Sequence, residues 1–226
     1  MEWENTSINI KNKDRQVCYN DELNLFKRKR TFCGIRCLNH WKCIGDHIDL
    51  TNKLTAIEIG SHEGQSAMYF LKNILINPES KLFCIDPWFK SSWSITDHSV
   101  LNYEDIFDLN KSNNDKNDQL IKYKGLNKDY YKTDEFKKLE IDIAYVDDIH
   151  TYESTKLNID KLFPKLKIGG IIIFDDYDGK FCDPNDPNAG YHWTDPVKKA
   201  VDEFIYYNIN DIEVIFNNYQ IIIKKI

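Results

Sequence analysis

The sequence predicts an α/β fold: a doubly wound, mostly parallel sheet of seven strands that ends in an antiparallel hairpin. Three observations carry that prediction. Short, nearly continuous apolar runs alternate with amphipathic segments five times, as expected of parallel strands covered on both faces and joined by right-handed crossovers. Four of those runs end in an acidic residue and one in a glycine. Two further β-rich runs then follow one another directly, with Asn217-Asn218 between them as a tight turn.

The elements follow in order. Residues 1–50 read as an N-terminal helical arm, and residues 51–226 as the main domain. The first strand spans Leu54 to Glu58, and its helix covers about 63–76, closed by Asn77-Pro78. Lys81 to Ile85 is the second strand, ending at Asp86; a loop through Trp88 leads to a helix at about 100–110. Leu120 to Lys124 is the third, followed by Gly125 and a helix at about 128–138. The fourth, Ile141 to Val146, ends at Asp147-Asp148; its helix runs from Ser154 to Leu166, and Gly169-Gly170 punctuate the chain before the fifth strand, Ile171 to Phe174. That strand ends at Asp175-Asp176. After a polar loop and a helix at about 195–207 come the hairpin strands, Ile212 to Phe216 and Gln220 to Lys224.

Composition narrows the functional classes. A net charge of −6 over 226 residues excludes a broad electrostatic nucleic-acid surface. No apolar run reaches the length of a membrane span, and the polar, acidic start Met1-Glu2-Trp3-Glu4 is not a signal peptide, so a cytoplasmic protein is expected. Six cysteines then read as reduced thiols. Cys33, Cys37, His40 and Cys43 include metal-ligand types, but C-x3-C-x2-H-x2-C is an unusual zinc spacing; thiols on one face of an amphipathic helix account for it, and no structural zinc is expected. The basic run Lys27-Arg28-Lys29-Arg30 reads as a solvated face.

The chemistry concentrates at the strand ends. Between the first strand and its helix lies Glu58-Ile59-Gly60-Ser61-His62-Glu63-Gly64-Gln65-Ser66. Two glycines let a ligand approach the backbone, and the helix N-terminus beyond offers N–H groups. The spacing is neither the G-x-G-x-x-G dinucleotide fingerprint nor a phosphate loop, which requires Gly-Lys-Ser/Thr. A carboxylate beside a glycine turn suits a ligand with a cationic amino group. Acids at 58, 86, 147, 175 and 176 would gather at the carboxyl edge of the sheet, where ligands bind in such folds.

From about 54 to 226 the chain resembles the class I S-adenosylmethionine-dependent methyltransferases, whose fold is Rossmann-like. Glu58-Ile59-Gly60 with Gly64 and Ser66 looks like their glycine-loop motif, and Asp86, 26 residues beyond Gly60, is similar to the acid that binds the cofactor ribose. Tyr145-Val146-Asp147-Asp148-Ile149-His150-Thr151-Tyr152 looks like the I-D-G-D-H-S-Y signature of the "methyltransferase domain 24" group, with departures at Asp148 and Ile149. Leu162-Phe163-Pro164, Gly169-Gly170, Asp175-Asp176-Tyr177 and the helix from Val197 to Phe204 are similar to macrocin-type sugar O-methyltransferases.

The resemblance implies S-adenosylmethionine as cofactor, contacted by Glu58, Gly60, Ser61, Gly64, Ser66, Asp86, Trp88, Gly125, Asn127 and Asp147, with core packing as the alternative for Trp88. It implies Mg²⁺ held by Asp147, Asp175 and Asp176. His150 and Asp147 are the candidate catalytic residues, His150 as general base. The loop 177–193, with Tyr191, His192 and Trp193, would form a substrate lid. The expected activity is O-methylation of a small hydroxylated acceptor, a sugar or nucleotide-sugar, by a chain that forms a homo-oligomer. A protein or RNA methyltransferase, or a binding module that keeps the fold without activity, are the alternatives.

Overall fold

The computed structural model describes residues 40–89, 103–178 and 195–226. Lys27–Arg30, Cys33, Cys37 and the lid residues Tyr191, His192 and Trp193 lie outside the described residues. Seven strands form one sheet: β1 (Thr55–Ile59), β2 (Lys81–Asp86), β3 (Leu120–Lys124), β4 (Ile141–Val146), β5 (Leu166–Phe174), β6 (Ile212–Asn217) and β7 (Ile221–Lys225), in the order β3-β2-β1-β4-β5-β7-β6. The first five are parallel, and β7 runs antiparallel to both β5 and β6. The chain order reverses between β1 and β4, so the cleft of a doubly wound sheet falls there.

Helices α1 (Ile44–His47), α2 (Gln65–Asn73), α3 (Tyr103–Ser112), α4 (Asn127–Tyr130), α5 (Asp134–Lys138), α6 (Tyr152–Leu162) and α7 (Asp195–Tyr207) cover the sheet. Alternate strand residues feed two separate cores, as the period of two requires. On one face Ala56, Leu82, Cys84, Ile143, Tyr145 and Ile173 pack with Met68 and Leu71 of α2 and Phe107 of α3. On the other Ile57, Phe83, Ala144, Val146 and Ile172 meet Tyr130, Phe136, Ile159 and Val201 of α4 to α7. None of the described helices is long and apolar enough to cross a membrane.

Trp41 and Ile44 belong to the first core, although both precede residue 51. The Trp41 ring lies 5.1–5.2 Å from the rings of Tyr69, Phe70 and Tyr145. The His40 ring lies tilted against Phe216 at 4.3 Å, and the Cys43 thiol donates to the His40 carbonyl.

Two expected elements are built differently. The helix expected at about 128–138 is two short ones, because Thr133 stops the first and starts the second: its hydroxyl donates to Tyr130 O (2.7 Å) and accepts from Phe136 N (3.1 Å). Gly169-Gly170 do not precede β5 but lie within it. Ile141 pairs with Leu166 while Ile143 pairs with Ile171, so the intervening residues of β5 form a bulge, with Gly169 at φ +82°. Asp142 fastens that bulge, accepting from Lys167 Nζ (2.9 Å) and from Thr55 N on β1 (2.8 Å).

Trp41 is 1% exposed, so its truncation to alanine should leave a cavity beneath Tyr145 and cost about 3–5 kcal/mol. Urea unfolding of Trp41→Ala against the parent measures this; a loss below about 1 kcal/mol would show that the residue is peripheral to the fold.

Candidate active site

Gly60 fixes the geometry at the switch point. Its N–H donates to Ile85 O on β2 (2.9 Å), and its φ of +89° turns the chain away from β1. A Cβ at this position would stand 1.8 Å from Asp147 O, so only glycine lets β1 end against the end of β4. Gly64, at φ +82°, caps α2 and lies against Phe107, whose ring a Cβ would meet at 2.9 Å. Between these glycines Ser61, His62 and Glu63 form the loop.

The loop is anchored from beneath by carboxylates. Glu58 is 1% exposed; Ser66 Oγ donates to its Oε1 and Cys84 Sγ (3.5 Å) to its Oε2. Burial pushes its carboxyl up to about 7; these bonds pull the other way, and the nearby Asp86 adds to the rise. Ser61 Oγ is buried beside Glu58 and Cys84 without a well-formed hydrogen bond. Asp86 accepts from His62 N (2.9 Å) and Trp88 N (2.6 Å). Burial raises its pKa, against these backbone bonds. Trp88 donates Nε1–H to His62 O (2.7 Å) and packs on Phe107 at 4.8 Å with Lys122 Nζ over its ring, so its indole is committed to the core.

Across the cleft stand the ends of β4 and β5. His150 Nδ1 lies 3.0 Å from Asp176 Oδ2, and Nε2 lies 3.9 Å from Asp147 Oδ1. Burial opposes charge on His150, but the hydrogen bond to Asp176 and the charges of Asp175, Asp176 and Asp148 outweigh it and raise its pKa. Asp147, His150 and Asp176 each bring one ligand-type atom within 4.8 Å of the others. Asp175 takes a different place: Gln220 Nε2 donates to its Oδ1 (2.7 Å) and the Tyr145 hydroxyl to its Oδ2 (3.0 Å). Its carboxyl is pushed up to about 6 by burial and by Asp176.

A cavity of about 150 Å³ joins the two sides. The sequence-predicted residues Gly60, Ser61, Ser66, Asp147, His150, Asp175 and Asp176 line it. Glu58, Gly64, Asp86 and Trp88 support its wall from behind, and Gly125 closes the turn after β3 through a bond to Asp86 O (3.0 Å). The Asn127 amide donates to Asp148 Oδ2 and Asn158 Oδ1, both at 2.8 Å, and so ties α4 to α6. Sequence reasoning missed Tyr145 and Tyr219, which also line the cavity. For Tyr145 a signal existed: it lies two residues before Asp147 and so on the same face of β4.

Among the described residues four non-glycine positions have φ between +44° and +53°: His62, Trp88, His150 and Asp176. All four follow the carboxyl ends of β1, β2, β4 and β5, where strain of about 1–3 kcal/mol each is held by the bonds just described.

Glu58 makes stability pH-dependent in a definite direction. Its folded pKa of about 7 exceeds its ordinary value of 4.5, so the folded state holds a proton that the unfolded chain releases. Glu58 therefore destabilises the fold progressively as pH rises from about 4.5 to about 7, with the full penalty above that window. Glu58→Gln keeps an acceptor for Ser66 and should flatten the fall in melting temperature across that window; an unchanged slope would remove Glu58 as its cause.

The comparisons with known proteins come to the same place. A family model described as a methyltransferase domain matches residues 57–177, from β1 through the cavity-lining acids to Tyr177. No curated protein sequence matches the chain. Among solved structures, an O-methyltransferase from Bacillus cereus in complex with SAH is 14% identical with a TM-score of 0.59, covering 97% of this chain and 94% of its own. The O-methyltransferase TomG from Streptomyces achromogenes, in complex with SAM, is 16% identical at a TM-score of 0.57, covering 83% and 78%. CalS11, a TDP-rhamnose 3'-O-methyltransferase of calicheamicin biosynthesis, is 16% identical at 0.54, covering 92% and 86%. At these identities the structures establish a shared fold, and the family match over more than half of the sequence settles the assignment: the chain belongs to the methyltransferase domain family, within the class I S-adenosylmethionine-dependent methyltransferases.

Proposed function

We propose that the protein transfers a methyl group from S-adenosylmethionine to a hydroxyl of a small acceptor, a sugar or nucleotide-sugar, with a divalent cation assisting. The observation that carries this reading is the His150–Asp176 pair beside Asp147, facing the glycine loop across one cavity. Sulfonium methyl transfer is an in-line displacement, so the protein must align two reactants and remove one proton. Nδ1–H of His150 donating to Asp176 fixes the imidazole and leaves Nε2 as the basic nitrogen. The acceptor O–H would give its proton to Nε2 as its oxygen forms the new C–O bond. The S–CH₃ bond breaks, its electrons stay on sulfur, and the sulfonium leaves as a neutral thioether.

Asp147 and Asp176 supply the two carboxylates that Mg²⁺ commonly takes, and they lie close enough together to share an ion. Bound there, the cation would lower the pKa of the acceptor hydroxyl. The glycine loop, with Gly60 and Ser66 on the cavity wall, would take the amino-acid end of the cofactor, and Asp86 at the end of β2 its ribose. The sugar acceptor draws its support from the macrocin-type motifs and from the activity of CalS11, one of the structures of like fold.

Calorimetry with S-adenosylhomocysteine should show saturable binding that Gly60→Arg abolishes; binding of NAD in its place would overturn the cofactor assignment. His150→Ala should retain that binding while turnover on an accepted sugar falls by about 10²- to 10⁴-fold, the usual worth of a general base. EDTA should inhibit the parent enzyme and Mg²⁺ should restore it. Full activity in EDTA would remove the cation from the reaction.

A further inference from the structure

The two acids after β5 are adjacent in sequence but differ in their partners. Asp176, at φ +51°, meets His150, and its carboxylate falls within the group formed with Asp147. Asp175 does not join that group. Both its oxygens accept from the protein: Oδ1 from Gln220 Nε2 and Oδ2 from the Tyr145 hydroxyl. That hydroxyl is also 3.5 Å from Asp147 Oδ2, and the shorter contact to Asp175 takes its single proton. The Tyr145 ring is held in turn by Trp41 and Phe70. Gln220 is fully buried, and in donating to Asp175 it leaves its own Oε1 without a partner. An orphaned buried carbonyl is costly, so the amide is oriented by the carboxylate it serves.

We infer that Asp175 is a positioning residue and not a cation ligand: clamped between Gln220 and Tyr145, it fixes the tyrosine that stands against Asp147. This inference rests on the metal-assisted reading above and replaces the expected ligand set Asp147, Asp175 and Asp176 with Asp147 and Asp176. It makes a distinction that chemistry can test. In Asp175→Asn the amide oxygen can still accept from Tyr145, and its NH₂ can donate to Gln220 Oε1 once that amide turns over, which satisfies the orphaned oxygen. The clamp survives although the charge is gone. A ligand carboxylate has no such rescue, because the amide offers the ion no negative charge.

The experiment is a titration of the full-length chain with Mn²⁺, followed by the paramagnetic resonance signal of the free ion, with thermal melting run in parallel. Asp175→Asn should bind Mn²⁺ within about tenfold of the parent. Asp175→Ala, which removes the clamp, should weaken binding by about 10- to 100-fold, as loss of a group orienting a ligand does. Asp176→Asn should abolish binding. Should the alanine variant not fold, the two asparagine variants decide alone. Equal loss in Asp175→Asn and Asp176→Asn would overturn this inference and leave the metal-assisted reading intact. Failure of the parent to bind Mn²⁺ would overturn both, while the binding of S-adenosylhomocysteine would still report on the cofactor site.

Discussion

The contact between Gly60 and the Asp147 carbonyl is the constraint on which the site depends. A Cβ at Gly60 would overlap that oxygen at 1.8 Å, so the loop after β1 and the end of β4 meet more closely than side chains allow. This approach occurs at the switch point, where neighbouring strands send their connections to opposite faces of the sheet. The backbone is joined on both sides of β1 here: Gly60 N bonds to Ile85 O, and Asp147 N to Ile59 O. The glycine loop and the acids at the end of β4 are therefore fixed relative to one another by main-chain geometry. Their side chains can then serve the ligand.

Hydrogen-bond partners sort the carboxylates into two kinds of work. Glu58 and Asp86 hold the loop, the buried Glu58 through Ser66 and the half-buried Asp86 through the N–H groups of His62 and Trp88. Asp147 and Asp176 border the cavity beside a histidine. An inward-facing carboxylate is retained only where hydrogen bonds offset its desolvation. The raised pKa of Glu58 is what remains after that offset. Loop anchoring thus comes at the expense of stability near neutral pH.

Much of this was legible in the sequence because it rests on local pattern. Five apolar runs and a hairpin sufficed for the sheet, and Glu58-x-Gly60 with Asp86 marked the tight turn after β1 and the acid at the end of β2. The bulge in β5 was not legible, since Gly169-Gly170 read equally well as a turn; what makes them a bulge is Asp142 on β4, tied to Lys167 and Thr55. The division of Asp175 from Asp176 had a signal that went unread: adjacent residues at a strand end leave on opposite faces, so a pair of acids there need not act as a pair. Gln220 and Trp41 carried no signal at all, because each contacts the site through residues distant in sequence.

Trp41 and Tyr145 show how the core reaches the chemistry. Tyr145 is 3% exposed, with its ring against Trp41 and Phe70 and its hydroxyl against Asp175. One side chain thereby spans from the hydrophobic layer beneath the sheet to the carboxylates above its edge. Packing fixes the ring, and the fixed ring sets where the hydroxyl stands, so shape in the core becomes position in the site. The four left-handed residues at the strand ends fit the same logic. Their backbone strain persists because bonds from the rigid sheet over-determine them: His62 and Trp88 through Asp86, and His150 and Asp176 through each other. The edge of the sheet in this sense sets the geometry of the loops it carries.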